Sequence, residues 1–209
     1  MTGTGGAIAL MKDDGNILVT PSGLLKETVT NDDLFTLNLE AEVLNHPQTY
    51  ESKLKYSSCF PNFQHIFKVP PEYHRNSSLV CVHQFRQDTR AIFHTHSALA
   101  VIASLALEPG QHFRCSNLQM VKAMRGHKWS DTVRIPVIGN KDSEDAIAVD
   151  LETAVRANPG VDAVIIRGHG LYVWAPTWQM AKVRIEALEW LFEIKIECMK
   201  LGLQNIIEN

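Results

Sequence analysis

Residues 161–174 read VDAVIIRGHGLYVW, and they consist of two apolar stretches separated by a short polar turn. The first stretch is typical of a buried strand, and the second predicts either the continuation of that strand or its partner. Gly168 and Gly170 flank His169, so the backbone can turn sharply here and expose the imidazole at the end of a strand. Taken alone, a histidine between two glycines usually marks no more than a turn.

The segments around this stretch mix strand and helix patterns. Strands are predicted at residues 17–20, 34–39, 90–96 and 133–138, and helices at residues 97–107, 145–158 and 177–201. Thr177 is the expected N-cap of the last helix, and Gly202 ends it. Pro136 predicts that its strand lies at an edge of the sheet. Residues 40–87 show no clear hydrophobic periodicity. This order predicts an α/β or α+β fold with one sheet.

The composition argues against nucleic-acid and membrane partners. Among 209 residues, 20 are basic and 23 acidic, so the net charge of −3 leaves no general basic surface. The longest apolar run, residues 98–107, is too short to span a bilayer, and the first residues carry no positive segment typical of a signal peptide. The cysteines form no C-x-x-C pair, so we expect free thiols and a cytoplasmic protein; they are Cys59, Cys81, Cys115 and Cys198.

Two further histidines offer metal ligands. His94 and His96 are two residues apart at the end of a predicted strand, so both imidazoles project from the same face. They could be ligands of one metal ion, or two surface or hydrogen-bonded histidines. With His169 they would complete a site of three histidines with one open position, which is the catalytic arrangement of zinc. Three imidazoles also suit other first-row ions.

Glycine-rich and polar turns near the N-terminus offer a phosphate pocket. The backbone amides of TGTGG, residues 2–6, can cradle a phosphate. Ser22, Gly23 and Lys26 add a hydroxyl, a free amide and a positive charge. Plain turns explain the same residues equally well, so both interpretations stay open.

Four segments taken together resemble the class II aldolase/adducin family. They are TGTGG at residues 2–6, PSGLLKE at 21–27, HTHS at 94–97 and GHGLYVW at 168–174. The resemblance implies an α/β fold, a single three-layer α/β/α domain over residues 1–209 with a central, mostly antiparallel sheet. It also implies a homotetramer.

The resemblance assigns roles to individual residues. His94, His96 and His169 would hold one zinc ion per subunit. The substrate, a small phosphorylated ketose, would bind at Gly5, Gly6, Ser22, Gly23, Lys26 and Cys59. Within the family the match is to the dehydratases of methionine salvage. It therefore implies a zinc-dependent lyase that converts 5-methylthioribulose 1-phosphate to 2,3-diketo-5-methylthiopentyl 1-phosphate.

Three features depart from the family pattern. The family's acid/base glutamate corresponds to Gln119, whose amide cannot titrate. The helix that precedes TGTGG in the family is missing before Met1, so we expect either lower stability or a truncated gene model. Residues 69–84 form an expected insertion, either a real loop or a translated retained intron.

These departures leave alternatives open. A catalytically impaired relative is one alternative, unless another carboxylate such as Glu27 substitutes for the missing glutamate. Another sugar-phosphate aldolase or epimerase of the same fold is a second. A non-enzymatic adducin-like scaffold is disfavoured, because a scaffold has no need of the three histidines.

Overall fold

The computed structural model describes residues 5–48, 54–69, 89–203 and 207. These residues form nine strands and four α-helices. The strands are β1 (Ala7–Met11), β2 (Ile17–Val19), β3 (Phe35–Leu37), β4 (Val43–Asn45), β5 (Ala91–Thr95), β6 (His112–Cys115), β7 (Val133–Ile138), β8 (Ala163–Ile166) and β9 (Gly170–Ala175). The helices are α1 (Phe60–Lys68), α2 (Ala98–Leu105), α3 (Glu144–Ala157) and α4 (Trp178–Lys200).

All nine strands join one sheet in the order β4-β3-β2-β1-β5-β9-β8-β7-β6. Every neighbouring pair is antiparallel except β7 and β8, which are parallel. Within residues 161–174, β8 and β9 pair across the turn, with Ile166 opposite Gly170. The second apolar stretch is therefore the partner of the first. The predicted α/β class with a mostly antiparallel sheet is confirmed.

Helices cover both faces of the sheet and complete three layers. α1 and α3 pack together on one face, and α2 and α4 pack together on the other. Within β9, Leu171 and Val173 point into the core under α2 and α4, whereas Tyr172 and Trp174 point into the core under α1 and α3. Because both faces are buried, β8 and β9 read as continuous apolar runs rather than as an alternation.

The helix ends follow from capping side chains. Ser97, Ser143 and Thr177 each accept a hydrogen bond from a backbone N–H in the first turn of the helix that follows. The prediction that Thr177 caps α4 is thereby confirmed. Gly202 follows α4 with φ +70°, a conformation that favours glycine and ends a helix.

The prediction that residues 133–138 form an edge strand is wrong. β7 lies between β8 and β6, and β6 is the edge. The N–H of Val137, not of Pro136, donates to the Gln111 carbonyl beside β6 at 2.9 Å. Pairing with β8 also begins only at Val137. The proline therefore sits where its missing N–H removes no hydrogen bond from the sheet.

The part of the chain without a clear period is more ordered than its sequence indicates. Residues 40–87 contain β4 and α1, and α1 buries Phe60, Phe63 and Ile66. Residues 70–84 of the expected insertion lie outside the described residues, so the insertion and the single-domain bounds stay predictions.

Among the described residues, no helix is both long and apolar enough to cross a membrane. Cys59, Cys115 and Cys198 are free thiols. The fourth cysteine, Cys81, for which a free thiol is also expected, lies outside the described residues.

Candidate active site

The end of β5 and the turn before β9 bring three histidines together. His94 lies in β5 opposite Tyr172 of β9, and His96 follows the end of β5. His169 occupies the turn between β8 and β9. The candidate ligand atoms of these histidines all lie within 4.8 Å of one another, and the Nε2 atoms of His96 and His169 are 3.1 Å apart. The histidines that sequence analysis singled out are thus assembled in one place.

Hydrogen bonds to the outer nitrogens orient two of these rings. His94 Nδ1 lies 3.2 Å from the Leu171 carbonyl oxygen, and His169 Nδ1 lies 3.0 Å from Asn140 Oδ1. Because these oxygens can only accept, Nδ1 carries the proton and Nε2 keeps its lone pair. His94 is fully buried, and within the described residues its Nε2 has no hydrogen-bond partner. A metal ion would satisfy this buried lone pair.

Electrostatics favour the neutral form of all three rings. Burial lowers the pKa of His94 well below its usual value, and the neighbouring His96 and His169 lower it further. Burial and then His169 lower the pKa of His96, and burial lowers the pKa of His169. Neutral imidazole is the form that binds metals. The three residues therefore form a group that could hold a divalent metal ion, and their donor set fits one.

Two glycines make room for the histidines. A Cβ on Gly170 would lie 2.1 Å from the Thr95 carbonyl oxygen, so only glycine allows β9 to approach the end of β5 this closely. A Cβ on Gly5 would lie 3.0 Å from His96 Nδ1. The resemblance assigns Gly5 to phosphate binding, and the structure places it against a candidate metal ligand.

A buried polar cluster stands beside His94 on the α1 and α3 face. The Tyr172 ring stacks on the His94 ring, with centroids 4.2 Å apart and planes 16° from parallel. The Tyr172 hydroxyl accepts from Asn62 Nδ2 at 2.8 Å and donates to Glu144 Oε2 at 3.4 Å. Asn62 Nδ2 also donates to Glu144 Oε2. Burial raises the pKa of Glu144, and the hydrogen bonds from Asn62 and Tyr172 partly offset this effect.

Cys59, one of the predicted substrate residues, borders this cluster. It immediately precedes α1 and is buried. Burial raises the pKa of its thiol, and the negative charge of Glu144 raises it further. Lys26 also interacts electrostatically with Cys59, although burial lowers the pKa of its ammonium. Cys59 packs in the same core cluster as Tyr172. The Lys26 ammonium donates a hydrogen bond to the Leu24 carbonyl at 2.8 Å.

The backbone places the predicted phosphate turn next to the segment that leads to Cys59. The Ser22 N–H donates to the Lys55 carbonyl at 2.8 Å, and Gly23 has φ +79°. Gly6 directly precedes β1 with φ +77°. Residues 2–4 of the glycine-rich loop lie outside the described residues.

Comparison with known proteins identifies the family. The family model described as "Class II Aldolase and Adducin N-terminal domain" matches residues 1–196. The chain belongs to the class II aldolase and adducin family.

Named relatives of this family match nearly the whole chain. A protein of Drosophila grimshawi named "Probable methylthioribulose-1-phosphate dehydratase" is 35% identical, over 97% of this chain and 82% of that protein. Methylthioribulose-1-phosphate dehydratase of Xenopus tropicalis is 32% identical, over 97% of this chain and 79% of that protein.

Two crystal structures show the same fold. YgbL from Escherichia coli superposes with a TM-score of 0.72 at 20% identity, over 94% of this chain and 80% of YgbL. L-fuculose-1-phosphate aldolase from Thermus thermophilus superposes with a TM-score of 0.67 at 18% identity, over 97% of this chain and 87% of the aldolase. The class II aldolase fold expected from the resemblance is confirmed.

Gln119, to which the resemblance assigns the position of the family's acid/base glutamate, has an exposed side chain in this class II aldolase chain. Gln119 begins a short 3₁₀ helix, Gln119–Ala123, that packs against α4. Its side chain is exposed and makes no hydrogen bond to another described residue. Glu27 is exposed too, and it interacts electrostatically with Lys26.

Sequence analysis missed Asn62, Tyr172 and Glu144 as possible site residues. Glu144 is 82 residues from Asn62 and 28 from Tyr172 in the chain. The only signal in the sequence was the position of Glu144 directly after Ser143, a residue type that caps helices. That signal predicts a helix start and says nothing of chemistry.

Proposed function

We propose that this chain is a zinc-dependent lyase that removes water from 5-methylthioribulose 1-phosphate in methionine salvage. The product would be 2,3-diketo-5-methylthiopentyl 1-phosphate. The observation that carries the proposal is the convergence of His94, His96 and His169 at the end of β5. The named dehydratases among the relatives, which match nearly the whole chain, support the substrate.

The metal would bind at the three histidines, one ion per chain. His94 and His169 offer Nε2 lone pairs whose orientation is set by Leu171 and Asn140. Three imidazoles with an open position are a donor set that zinc uses in catalysis. When bound, zinc would supply a Lewis acid that polarises the ketone carbonyl.

The polar residues around the histidines would hold the rest of the substrate. Lys26 would attract the phosphate, and the hydroxyl of Ser22 and the amides of Gly5, Gly6 and Gly23 would donate hydrogen bonds to it. Cys59, which packs in the same core cluster as Tyr172, would contact the carbon chain.

Gln119 supports a second candidate, a catalytically impaired relative that keeps the fold and the histidines. Dehydration needs a proton to be taken from carbon and a proton to be given to the leaving hydroxyl, by one titratable group or by two. An amide does neither, and losing such a group typically costs about 10²–10⁴-fold in rate. The two candidates differ in turnover rather than in metal content.

The test is turnover of 5-methylthioribulose 1-phosphate by the zinc-loaded full chain, followed by mass spectrometry. Loss of water supports the dehydratase, whereas carbon–carbon cleavage or an isomer of equal mass supports an aldolase or epimerase instead. Gln119→Glu is measured beside Gln179→Glu, the same change at an exposed position of α4. Turnover that appears only in Gln119→Glu supports the impaired relative. No reaction in any variant with zinc bound contradicts both candidates.

The proposal includes the setting of the enzyme. We propose a homotetramer in the cytoplasm that acts on a small phosphorylated ketose and binds neither nucleic acid nor membrane. Sedimentation velocity of the purified chain tests the assembly, and a monomer at micromolar concentration would contradict it.

A further inference from the structure

We infer that Glu144 is the catalytic acid and base of this chain, in the role that the amide at position 119 cannot fill. The inference rests on the proposed dehydratase function and deepens it. It starts from one observation: the Glu144 carboxylate belongs to the polar cluster that packs directly on His94.

The hydrogen bonds of the cluster fix this carboxylate. Glu144 is the first residue of α3, so its carboxylate also lies at the positive end of a helix. Oε2 accepts hydrogen bonds from Asn62 and from Tyr172, and both donors are fully buried. Because Tyr172 stacks on His94, one side chain separates the carboxylate from a candidate metal ligand.

Glu144 acts on residues of both proposed sites. Its negative charge raises the pKa of His96, a proposed metal ligand, and the pKa of Cys59, a proposed substrate residue. Cys59 also packs in the same core cluster as Tyr172, which donates its hydrogen bond to Glu144. On these grounds we place Glu144 where the proposed metal and substrate sites meet.

The other half-buried carboxylate near the histidines is placed less well. Glu189 of α4 accepts a hydrogen bond from Ser97 Oγ at 2.5 Å. It belongs to the α2 and α4 side of the sheet, whereas Cys59 packs on the α1 and α3 side. Glu189 lines a cavity together with His96 and Gly5, but its hydrogen bond with Ser97 ties it to the start of α2. Glu144 is the carboxylate on the side of the sheet where Cys59 packs.

One carboxylate can carry out both proton transfers. Glu144 takes the proton from C3, next to the C2 ketone, and the C–H electron pair moves toward the carbonyl oxygen as a C2–C3 double bond forms. Those electrons then return to form a C3–C4 double bond while the C4–O bond breaks. Glu144 gives its proton to the departing hydroxyl, which leaves as water. The carboxylate is regenerated, and the C3 enol rearranges to the diketone.

The test compares Glu144→Gln with wild type in the zinc-loaded full chain. The glutamine oxygen can still accept the hydrogen bonds of Asn62 and Tyr172, so folding and zinc content should not change. Asp145→Asn is the matched control, because Asp145 is the next residue of α3, exposed and equally charged. The readouts are zinc per chain, thermal midpoint, turnover, and exchange of the substrate C3 hydrogen in deuterated water.

We expect Glu144→Gln to lose about 10²–10⁴-fold in turnover and in C3 exchange, with zinc content and midpoint retained. Glu144→Asp should recover part of the rate, and Asp145→Asn should keep it. Wild-type turnover that survives Glu144→Gln overturns the inference and leaves the dehydratase proposal intact. Loss of zinc together with activity also overturns it, because Glu144 would then act only by supporting His94. If the wild type is inert and Gln119→Glu restores turnover, the inference is overturned as well. If the zinc-loaded wild type and Gln119→Glu are both inert, the dehydratase proposal itself is overturned.

Discussion

The close contact between β9 and β5 should make Gly170 indispensable. A Cβ at this position would lie 2.1 Å from the Thr95 carbonyl oxygen, and real Cβ atoms do not approach a neighbour within 3.0 Å. The substitution Gly170→Ala therefore forces the two strands apart by about 0.9 Å or more where they support the histidines. The neighbour that must move is backbone, so no side-chain rotation can relieve the contact.

The expected cost follows from the contacts that this separation disturbs. Overpacking of a buried site costs roughly 1–3 kcal/mol. Weakening the hydrogen bonds around the Thr95 and Leu171 pair adds roughly 0.5–1.5 kcal/mol each. We therefore expect Gly170→Ala to lower the free energy of unfolding by about 3 kcal/mol, which lowers the thermal midpoint of a chain this size by about 6–12 °C. The same displacement draws the Leu171 carbonyl away from His94, so zinc affinity should fall by about tenfold or more.

Thermal unfolding followed by circular dichroism, with and without zinc, measures both effects. Gly139→Ala is the matched control, because a Cβ there meets only Pro109 at 3.8 Å and the backbone is not strained. The control should change the unfolding free energy by less than about 0.5 kcal/mol. A Gly170→Ala midpoint that matches the control would refute the reasoning.

Two further predictions concern single hydrogen-bonded side chains. Asn140→Ala removes the hydrogen-bond acceptor of His169 Nδ1, so zinc should bind about 10–100-fold more weakly in a chelator competition. The thermal midpoint of the metal-free chain should not change. A zinc affinity within about twofold of wild type would contradict this prediction. Burial raises the pKa of Glu152, but the hydrogen bonds from Arg156 and His65 lower it by more, so the net pKa lies below its usual value. A lowered carboxylate pKa stabilises the fold above the unfolded value of 4.5 and loses this effect as the pH falls. Urea unfolding should therefore find Glu152→Gln less stable than wild type by at most about 1 kcal/mol at pH 7. The two should become equal once the pH has fallen below the lowered pKa of the folded chain, and a difference that persists there would count against the pairing.

The parts of the fold with strong local signals could be predicted from the sequence. The helix over residues 145–158 and the cap at Thr177 rest on periodicity and capping, and both are present. The prediction that β7 lies at an edge of the sheet was wrong. A proline is tolerated at an edge, but also inside a sheet where the backbone N–H would have no partner on the next strand. Only the register of Val137 with its neighbours decides between them.

Other elements escaped prediction for a different reason. β1 (AIALM) is apolar throughout and therefore shows no alternation, and β6 (HFRC) contains no β-branched residue. α1 lies in a region without a clear period, and Pro61 near its start is a weak helix signal when seen alone. Their placement depends on partners far along the chain, such as the pairing of β1 with β5.

The candidate site divides in the same way. His94, His96 and His169 could be predicted because strand geometry and flanking glycines carry local information, and the structure brings them together. Glu144 could not, because its position beside His94 depends on α3 packing against α1 and on the side chain of Tyr172. The amide at Gln119 can be read from the sequence, but only the structure shows that its side chain is exposed and that the residue begins a 3₁₀ helix that packs on α4.

The central claim, that three histidines at the end of β5 hold a metal, is tested most directly by metal content. Elemental analysis of the purified, folded chain would be made beside His96→Ala and beside His46→Ala, which removes an exposed histidine outside the group. We predict about one zinc per chain in the wild type and in His46→Ala, and a loss of the metal in His96→Ala. A folded wild-type chain that binds no metal from zinc-containing buffer, or a His96→Ala chain that keeps it, would contradict the account.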